Sequence, residues 1–296
     1  MAGKGKYYES QFEEATIELL REAHWQYTFG DDIHRKYTDP LIEEDLRNFL
    51  AAQYKDRDLT TSEIDGIVAN LRNTGGQNDY YALRNAFLLY RDGYDFAYSD
   101  GRDNPFRLEY IDFEHPDHNI FRCVNQFVME QGRENRRPDI LLFVNGIPVC
   151  IIELKNPTKQ NATIRDAHTQ ICTRYMRDIP ALLKYCALAV ISDGAKNALG
   201  TIYTPFEFFY EWKKIENEDK AGKGLDTLRT LIRGALSPER ILEILRDYVY
   251  FPDPTKEDDT TEIVCRYPQF FATRKLRDHI LNHLRSVGGD GKGGTY

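Results

Sequence analysis

Two very apolar runs separated by an Asn-Gly dipeptide constrain this sequence more than any other feature. The first run is DILLFV (139–144), and the second is IPVCIIELK (147–155). Asn145-Gly146 between such runs is typical of a two-residue β-hairpin turn, in which both turn residues take positive φ angles. Neither run alternates apolar with polar residues. We therefore expect both strands at the centre of a sheet that is covered on both faces.

The segments around this hairpin predict an α/β fold. Residues 108–113 (LEYIDF) and 121–130 (FRCVNQFVME) are rich in β-branched and aromatic residues and are predicted as strands. Residues 162–179 are predicted as a helix that ends before a proline, and residues 185–194 as another buried strand. The order strand, strand, helix, strand indicates a mixed sheet flanked by helices.

Helical patterns precede and follow this region. Residues 10–25 read as a helix that Ser10 caps, with Glu13 completing a capping box. Residues 30–100 are predicted as a helical insertion without evident chemistry. A charged, glycine-containing linker at 216–226 leads to three further helices. We thus predict one domain over residues 1–215 and a helical segment over residues 227–296.

Composition places the chain among ordinary globular proteins. It has 296 residues, of which 41% are hydrophobic and 29% charged. No apolar run approaches the roughly 20 residues that cross a bilayer, so no membrane partner is expected. Five scattered cysteines fit a reducing, cytoplasmic location. The seven histidines show no metal-binding spacing, and the aromatic residues at 206–212 are expected in the core.

The net charge of -8 argues against a protein that coats nucleic acid by bulk charge alone. It leaves room for local contacts to nucleic acid. Two groups of arginines are candidates for such contacts. The first group is Arg133, Arg136 and Arg137, and the second is Arg165, Arg174 and Arg177. The competing interpretation is that these arginines are only a solvated surface.

Three charged residues stand at the open end of the predicted hairpin. Asp139 begins its first strand, and Glu153 and Lys155 lie near the end of the second. Residues two apart in a strand point to the same face, so Glu153 and Lys155 converge while Leu154 packs on the other side. Asp139 is six residues before Asn145, and Glu153 is seven after the glycine of the turn. The two carboxylates are therefore expected nearly opposite each other.

This combination suits phosphodiester hydrolysis, which needs a divalent metal held by oxygen ligands and a positive group near the reacting atoms. We predict a Mg²⁺ site formed by Asp139, Glu153 and the backbone carbonyl of Leu154, with Lys155 beside it. The competing interpretation is a solvated strand end, since Glu-x-Lys alone is common. Charges that flank such apolar strands favour the metal site, because they need a partner.

The segment RRPDILLFVNGIPVCIIELKNP resembles the nuclease signature of the R subunits of type I restriction-modification enzymes, which belong to the PD-(D/E)XK superfamily. The resemblance covers about residues 105–215. It extends to the first helix and to further blocks, namely Val124-Asn125-Gln126-Phe127, Asp178-Ile179-Pro180, Ser192-Asp193-Gly194 and Glu211-Trp212-Lys213.

The resemblance implies that Asp139 and Glu153 are metal ligands, that Lys155 is the catalytic lysine and that Glu13 is an additional acidic residue of the site. It also implies a Gln-x-x-x-Tyr pair that supports the site or binds DNA. Tyr175 matches this pair, whereas Gln170 lies five residues before it.

Residues five apart on a regular α-helix are rotated from each other, so we expect Gln170 and Tyr175 to point in different directions. Arg137, two residues before Asp139, is the arginine that we single out as a candidate contact to DNA.

The C-terminal part extends the resemblance. Residues 262–287 are similar to the segment that precedes the ATP-binding P-loop of these R subunits, and the P-loop pattern itself is absent. We interpret the chain as a part that ends before an ATP-dependent motor. The resemblance implies a full protein that moves along double-stranded DNA using ATP and cleaves it, with specificity (S) and methyltransferase (M) subunits as partners.

Two alternatives stay open. A standalone PD-(D/E)XK repair nuclease would share Asp139, Glu153 and Lys155, but the segment after residue 226 argues against it. A degenerate nuclease fold could serve instead as a module that binds DNA or docks subunits. The intact set of three charged residues argues against that reading.

Overall fold

The computed structural model describes residues 2–102, 105–155, 163–215, 222–252 and 260–284, with the backbone alone for residues 2–9. Asn156-Pro157, most of the predicted linker and the glycine-rich C-terminal tract lie outside these ranges. No helix within them is both long enough and apolar enough to span a membrane.

A mixed six-stranded sheet forms the centre of the fold, as the sequence predicted. Its strands, in spatial order, are β1 (Gln26–Phe29), β4 (Phe121–Asn125), β7 (Ile140–Val144), β8 (Ile147–Leu154), β9 (Leu188–Ser192) and β10 (Asn197–Gly200). The pairs β1–β4 and β8–β9 are parallel, and the other three pairs are antiparallel. Short two-stranded sheets pair β2 (Tyr94–Phe96) with β3 (Phe106–Leu108), β5 (Met129–Gln131) with β6 (Glu134–Arg136), and β11 (Val249–Tyr250) with β12 (Ile263–Val264).

The turn at Asn145-Gly146 fixes the central hairpin. Both residues have positive φ angles, 50° and 76°, which confirms the predicted turn. A Cβ at position 146 would lie 2.1 Å from the carbonyl oxygen of Ile42, and the Ile42 N–H donates to the Gly146 carbonyl at 2.9 Å. Every residue of β7 and β8 is buried, so these strands lie at the covered centre of the sheet.

Helices surround this sheet. They are α1 (Ala2–Glu22), α2 (Glu43–Gln53), α3 (Thr61–Asn73), α4 (Asp79–Asp92), α5 (Ile164–Thr169), α6 (Met176–Asp178), α7 (Pro180–Leu183), α8 (Leu225–Leu231), α9 (Pro238–Asp247) and α10 (Tyr267–His283). A π-helical segment, Gln170–Tyr175, joins α5 to α6, and a second one, Ile232–Leu236, follows α8. Helices α1 and α5 both pack against β8, the strand that carries Glu153.

Two strand predictions were wrong in their bounds. The strand predicted over residues 108–113 lies earlier, at Phe106–Leu108, and Asp112 and Asn119 hold the chain after it in a hydrogen-bonded loop. The segment 121–130 is interrupted at Gln126, whose φ of 55° ends β4, and Met129 begins a different strand.

Two other local predictions were also wrong. Helix α1 begins at Ala2, so Ser10 lies inside it and is not its cap. Within the aromatic segment at 206–212, Trp212 is buried whereas Phe208 is 57% exposed. A short 3₁₀ turn, Phe206–Phe208, directs the Phe208 ring outward.

The C-terminal helices share the core of the sheet. The indole N–H of Trp25 donates to the Leu236 carbonyl at 2.7 Å, and the rings of Trp212 and Phe270 meet edge to face at 5.5 Å. Buried residues of α8, α9 and α10 belong to the same apolar cluster as β7 and β8. The five cysteines are all unpaired, and burial raises the pKa of the Cys123 thiol to about 12.

Candidate active site

The hairpin places Asp139 opposite Glu153 at its open end. Ile140 pairs with Ile152 in the antiparallel register, so Asp139 and Glu153 occupy the next position outward. The sequence counts from the turn differ by one residue, and a β-bulge that leaves Val149 without a cross-strand partner takes up the difference. The structure thus brings the two carboxylates together.

Asp139 and Lys155 are each fixed by the strand beside them. The Asp139 Oδ2 accepts the backbone N–H of Leu154 at 2.7 Å, and the side chain of Leu154 is buried on the other face. The Lys155 backbone N–H donates to the Ser192 carbonyl at the end of β9. Its ammonium group lies on the same face as Glu153 and donates to the Glu153 Oε1 at 2.8 Å.

A π-helical segment brings Gln170 and Tyr175 to the same point. The Gln170 Oε1 accepts the Lys155 ammonium at 2.6 Å, and its Nε2 donates to the Tyr175 hydroxyl at 2.7 Å. That hydroxyl donates to the Glu153 Oε2 at 3.3 Å. The expectation that Gln170 and Tyr175 point apart was wrong, because a π-helix closes i to i+5 and so aligns residues five apart.

Glu13 reaches the site from α1. Its Oε1 accepts hydrogen bonds from the Asn125 side chain at 2.7 Å and from the Gln126 side chain at 2.9 Å. The Gln126 backbone N–H donates to the Asp139 carbonyl at 3.4 Å. Since α1 begins far upstream of Ser10, Glu13 is no capping residue, and its carboxylate faces the end of β4.

Asn125 and Gln126 join the site, although sequence reasoning gave them no role. Both hold the Glu13 carboxylate, and the Tyr27 hydroxyl donates to Asn125 at 3.0 Å. The signal in the sequence was a pair of amide residues at the end of an apolar strand. The positive φ of Gln126 turns its side chain toward the same carboxylate as that of Asn125.

The two opposed carboxylates carry more negative charge than their surroundings neutralise. Burial and then the charge of Glu153 raise the pKa of Asp139 well above its ordinary value. Burial also raises the pKa of Glu153, although Lys155 and Tyr175 stabilise its charged form. Glu153 is 1% exposed. A buried charge of this kind requires a proton or a cation.

This donor set suits a hard divalent cation. Asp139 and Glu153 offer carboxylate oxygens, which Mg²⁺ and Mn²⁺ prefer as ligands. The single ammonium group of Lys155 is shared between Glu153 and Gln170, so it offsets only part of the negative charge. The residues present therefore fit a divalent cation between the two strand ends.

The arginines of the two predicted groups differ individually in their contacts. Arg136 pairs with Glu134 and Asp178, and Arg177 pairs with the same Asp178. Arg137 is exposed beside the strand end that carries Asp139. Arg165 lies over the ring of Phe206, with 4.2 Å between the guanidinium carbon and the ring centre.

The fold and the site define an α/β protein with two opposed carboxylates and a lysine on a central hairpin. Residues 6–208 match the family model described as the N terminus of type I restriction enzyme R proteins. The chain belongs to this family.

Curated relatives agree with the family match. The chain is 28% identical over 285 residues to the type I restriction enzyme HindI endonuclease subunit of Haemophilus influenzae, covering 92% of this chain and 27% of that protein. It is 27% identical over 296 residues to a putative type I restriction enzyme endonuclease subunit, MjaIXP, of Methanocaldococcus jannaschii, covering 92% of this chain and 28% of that protein. The chain thus spans about a quarter of the length of these relatives.

Proposed function

We propose that this chain is the DNA-cleaving region of a type I restriction R subunit, with a PD-(D/E)XK nuclease fold. The observation that carries the proposal is the position of Lys155. Its ammonium group bridges Glu153 and Gln170 on the face where Glu153 stands opposite Asp139. Family membership and the names of the relatives, which are restriction endonuclease subunits, support the same conclusion.

In this proposal Asp139, Glu153 and the carbonyl of Leu154 hold Mg²⁺. A bound Mg²⁺ supplies positive charge that stabilises the phosphate as negative charge builds on it. Lys155 is placed to orient the attacking water or to donate a hydrogen bond to the phosphate. Tyr175 and Gln170 hold Lys155 and Glu153 in position. The resemblance assigns Tyr175 to the site, and the hydrogen bonds of Gln170 add it to the same group.

Glu13 contributes from outside the hairpin. It holds Gln126, whose backbone N–H binds the carbonyl of Asp139, so it positions the first strand end. Arg137 is the arginine that we expect to contact the DNA backbone, because it is exposed next to Asp139. Such phosphate contacts position the duplex and carry no sequence information.

The whole protein's activity is part of the proposal. The relatives are about four times longer than this chain, so we assign ATP-driven movement along DNA to the remainder of such a protein. Partners are double-stranded DNA and the S and M subunits, in the cytoplasm. We take residues 1–215 as the nuclease unit and residues 227–296 as the approach to the motor.

Calorimetric titration of Mn²⁺ and Mg²⁺ into the purified chain tests the site, beside Asp139→Ala and Glu153→Ala. Glu18→Ala is the matched control, because this carboxylate is exposed and pairs only with Arg21 among the described ion pairs. We expect the native chain and the control to bind Mn²⁺ and both site variants to lose it. If the native chain binds neither metal with a DNA duplex present, the module that docks subunits or binds DNA becomes the better interpretation.

A further inference from the structure

A second group of metal-ligand side chains lies in the loop between β3 and β4. Asp112, His115 and His118 each offer one ligand atom, and the three atoms lie within 4.8 Å of one another. The His118 Nδ1 is 2.9 Å from the Asp112 Oδ2, and the His115 Nδ1 is 3.3 Å from the same oxygen. The two imidazole rings stack at 4.9 Å with 21° between their planes, so their nitrogens face the carboxylate from one side.

The loop holds its carboxylate rigidly. The Asp112 Oδ1 accepts the backbone N–H groups of Glu114 at 3.0 Å and His115 at 2.8 Å. The Gln53 amide donates to the Asp112 Oδ2 at 3.0 Å, which fixes the orientation of that oxygen. Asp112 is 4% exposed. Its Oδ2 is therefore the atom left to face the two histidines.

Asn119 closes the loop and ties it to the hairpin turn. Its Oδ1 accepts the backbone N–H of Asp112 at 2.9 Å, and its Nδ2 donates to the Asp112 carbonyl at 2.7 Å. The same Oδ1 accepts the side chain of Asn145 at 2.8 Å. Asn145 and Asp139 are six residues apart along an extended strand, about 20 Å. This loop is thus separate from the candidate active site.

We propose that Asp112, His115 and His118 bind a Zn²⁺-class transition-metal ion through the Asp112 Oδ2 and the two Nδ1 atoms. A tetrahedral zinc site with bonds of about 2.0–2.1 Å has ligand atoms about 3.3 Å apart, close to the 2.9 Å and 3.3 Å that separate the Asp112 Oδ2 from the two Nδ1 atoms. The exposed rings leave the fourth position to water.

The donor set decides the class of metal. Two imidazoles and one carboxylate favour Zn²⁺, Co²⁺, Ni²⁺ and Cu²⁺, whereas Mg²⁺ prefers an all-oxygen shell. This site and the acidic site on the hairpin therefore select different ions. The proposal also does not depend on whether the chain cleaves DNA.

The position of the loop assigns the ion a structural role. Arg246 of α9 lies 3.5 Å from the Phe113 carbonyl and 3.4 Å from the Glu114 carboxylate, so the loop stands between the hairpin turn and the C-terminal helices. An ion bound by Asp112, His115 and His118 would stabilise this loop between the hairpin turn and α9. Because binding is restricted to the folded state, it raises the melting temperature.

The test uses the purified chain after removal of metals with EDTA. Zn²⁺ is titrated by calorimetry and Co²⁺ by its visible absorption, with the native chain and with His115→Gln/His118→Gln. The matched control is His279→Gln/His283→Gln. It removes two histidines of α10 whose rings lie 4.3 Å from each other. Circular dichroism checks that each variant folds.

We expect one Zn²⁺ per chain for the native protein and for the control, and at least tenfold weaker binding for the loop variant. The melting temperature should rise by about 5 °C when the free Zn²⁺ concentration is about a hundred times the Kd. This rise should vanish in the loop variant. Asp139→Ala should keep the Zn²⁺ site. The proposal is overturned if the native chain binds no Zn²⁺, if the loop variant binds as the native chain does, or if the α10 control or Asp139→Ala abolishes binding.

Discussion

Replacing Asp139 by asparagine should stabilise the metal-free protein. Asparagine has nearly the same shape as aspartate, and its Oδ1 can still accept the Leu154 N–H that the carboxylate accepts at 2.7 Å. The substitution removes one of two opposed charges, at the half-buried Asp139 beside the buried Glu153, without opening a cavity. The native residue is therefore a case in which a site that we propose for catalysis reduces the free energy of unfolding.

The size of the effect follows from the register. Side chains directly opposite in an antiparallel pair lie about 5 Å apart. At an effective dielectric constant of about 20, two unit charges at that distance repel by about 3 kcal/mol. The ammonium of Lys155, 2.8 Å from Glu153, attracts both carboxylates and offsets part of this. We expect Asp139→Asn to raise the free energy of unfolding by about 1–2 kcal/mol at pH 8 without metal.

The gain in the free energy of unfolding should depend on pH in a defined direction. The pKa of Asp139 is raised in the folded state, so the protonated carboxyl contributes stability at low pH that is lost as the pH rises through the folded-state pKa. Asparagine does not titrate. The advantage of Asp139→Asn over the native chain should therefore grow as the pH rises from 5 to 8.

The free energy of unfolding of the native chain and of Asp139→Asn is measured by urea unfolding, followed by circular dichroism, with EDTA at pH 5 and at pH 8. Asp95→Asn is the control, because this carboxylate is 84% exposed and pairs with Arg107 at the surface. The reasoning is refuted if Asp139→Asn is no more stable than the native chain at pH 8, or if its gain is equal at both pH values.

Three further substitutions probe neighbouring features. Glu13→Gln should weaken Mn²⁺ binding several-fold in calorimetry, because it disturbs the strand end that Gln126 holds, whereas Glu18→Gln on the same helix should bind as the native chain does. Gln170→Ala removes a hydrogen bond to Lys155 and should slow cleavage by the assembled enzyme about tenfold, a loss of about 1.4 kcal/mol, with Mn²⁺ affinity little changed. Gly146→Ala should cost about 2–4 kcal/mol in urea unfolding, because its φ is 76° and its Cβ would meet the Ile42 carbonyl. Equal stability of Gly146→Ala and the native chain would contradict the close approach at the turn.

The features that the sequence predicted well are set by neighbouring residues. Asn145-Gly146 defines its turn through its own φ preferences, and the apolar runs on either side define central strands whatever the rest of the chain does. The meeting of Asp139 and Glu153 followed from counting outward from that turn, and a bulge then supplied the one residue by which the counts differ.

Features that depend on distant contacts were missed. The left-handed conformation of Gln126 and its hydrogen bond to Glu13 join segments more than a hundred residues apart, and nothing local indicates them. The grouping of the histidines was missed because the sequence does not show how the loop that carries them folds. Only the loop that Asn119 closes brings His115 and His118 to one carboxylate.

The π-helical segment also bears on how related chains are compared. Its wide turn accommodates one residue more than an α-helix would, so the glutamine-to-tyrosine interval is five residues instead of four while the two side chains still meet. A search pattern with a fixed interval would reject this chain, and an alignment that forces the interval would shift one of the two residues. Removing a single residue between Gln170 and Tyr175 should convert the segment to an ordinary α-helix and keep the pair in contact. Insertions and deletions of one residue at this point are therefore compatible with the same arrangement of side chains.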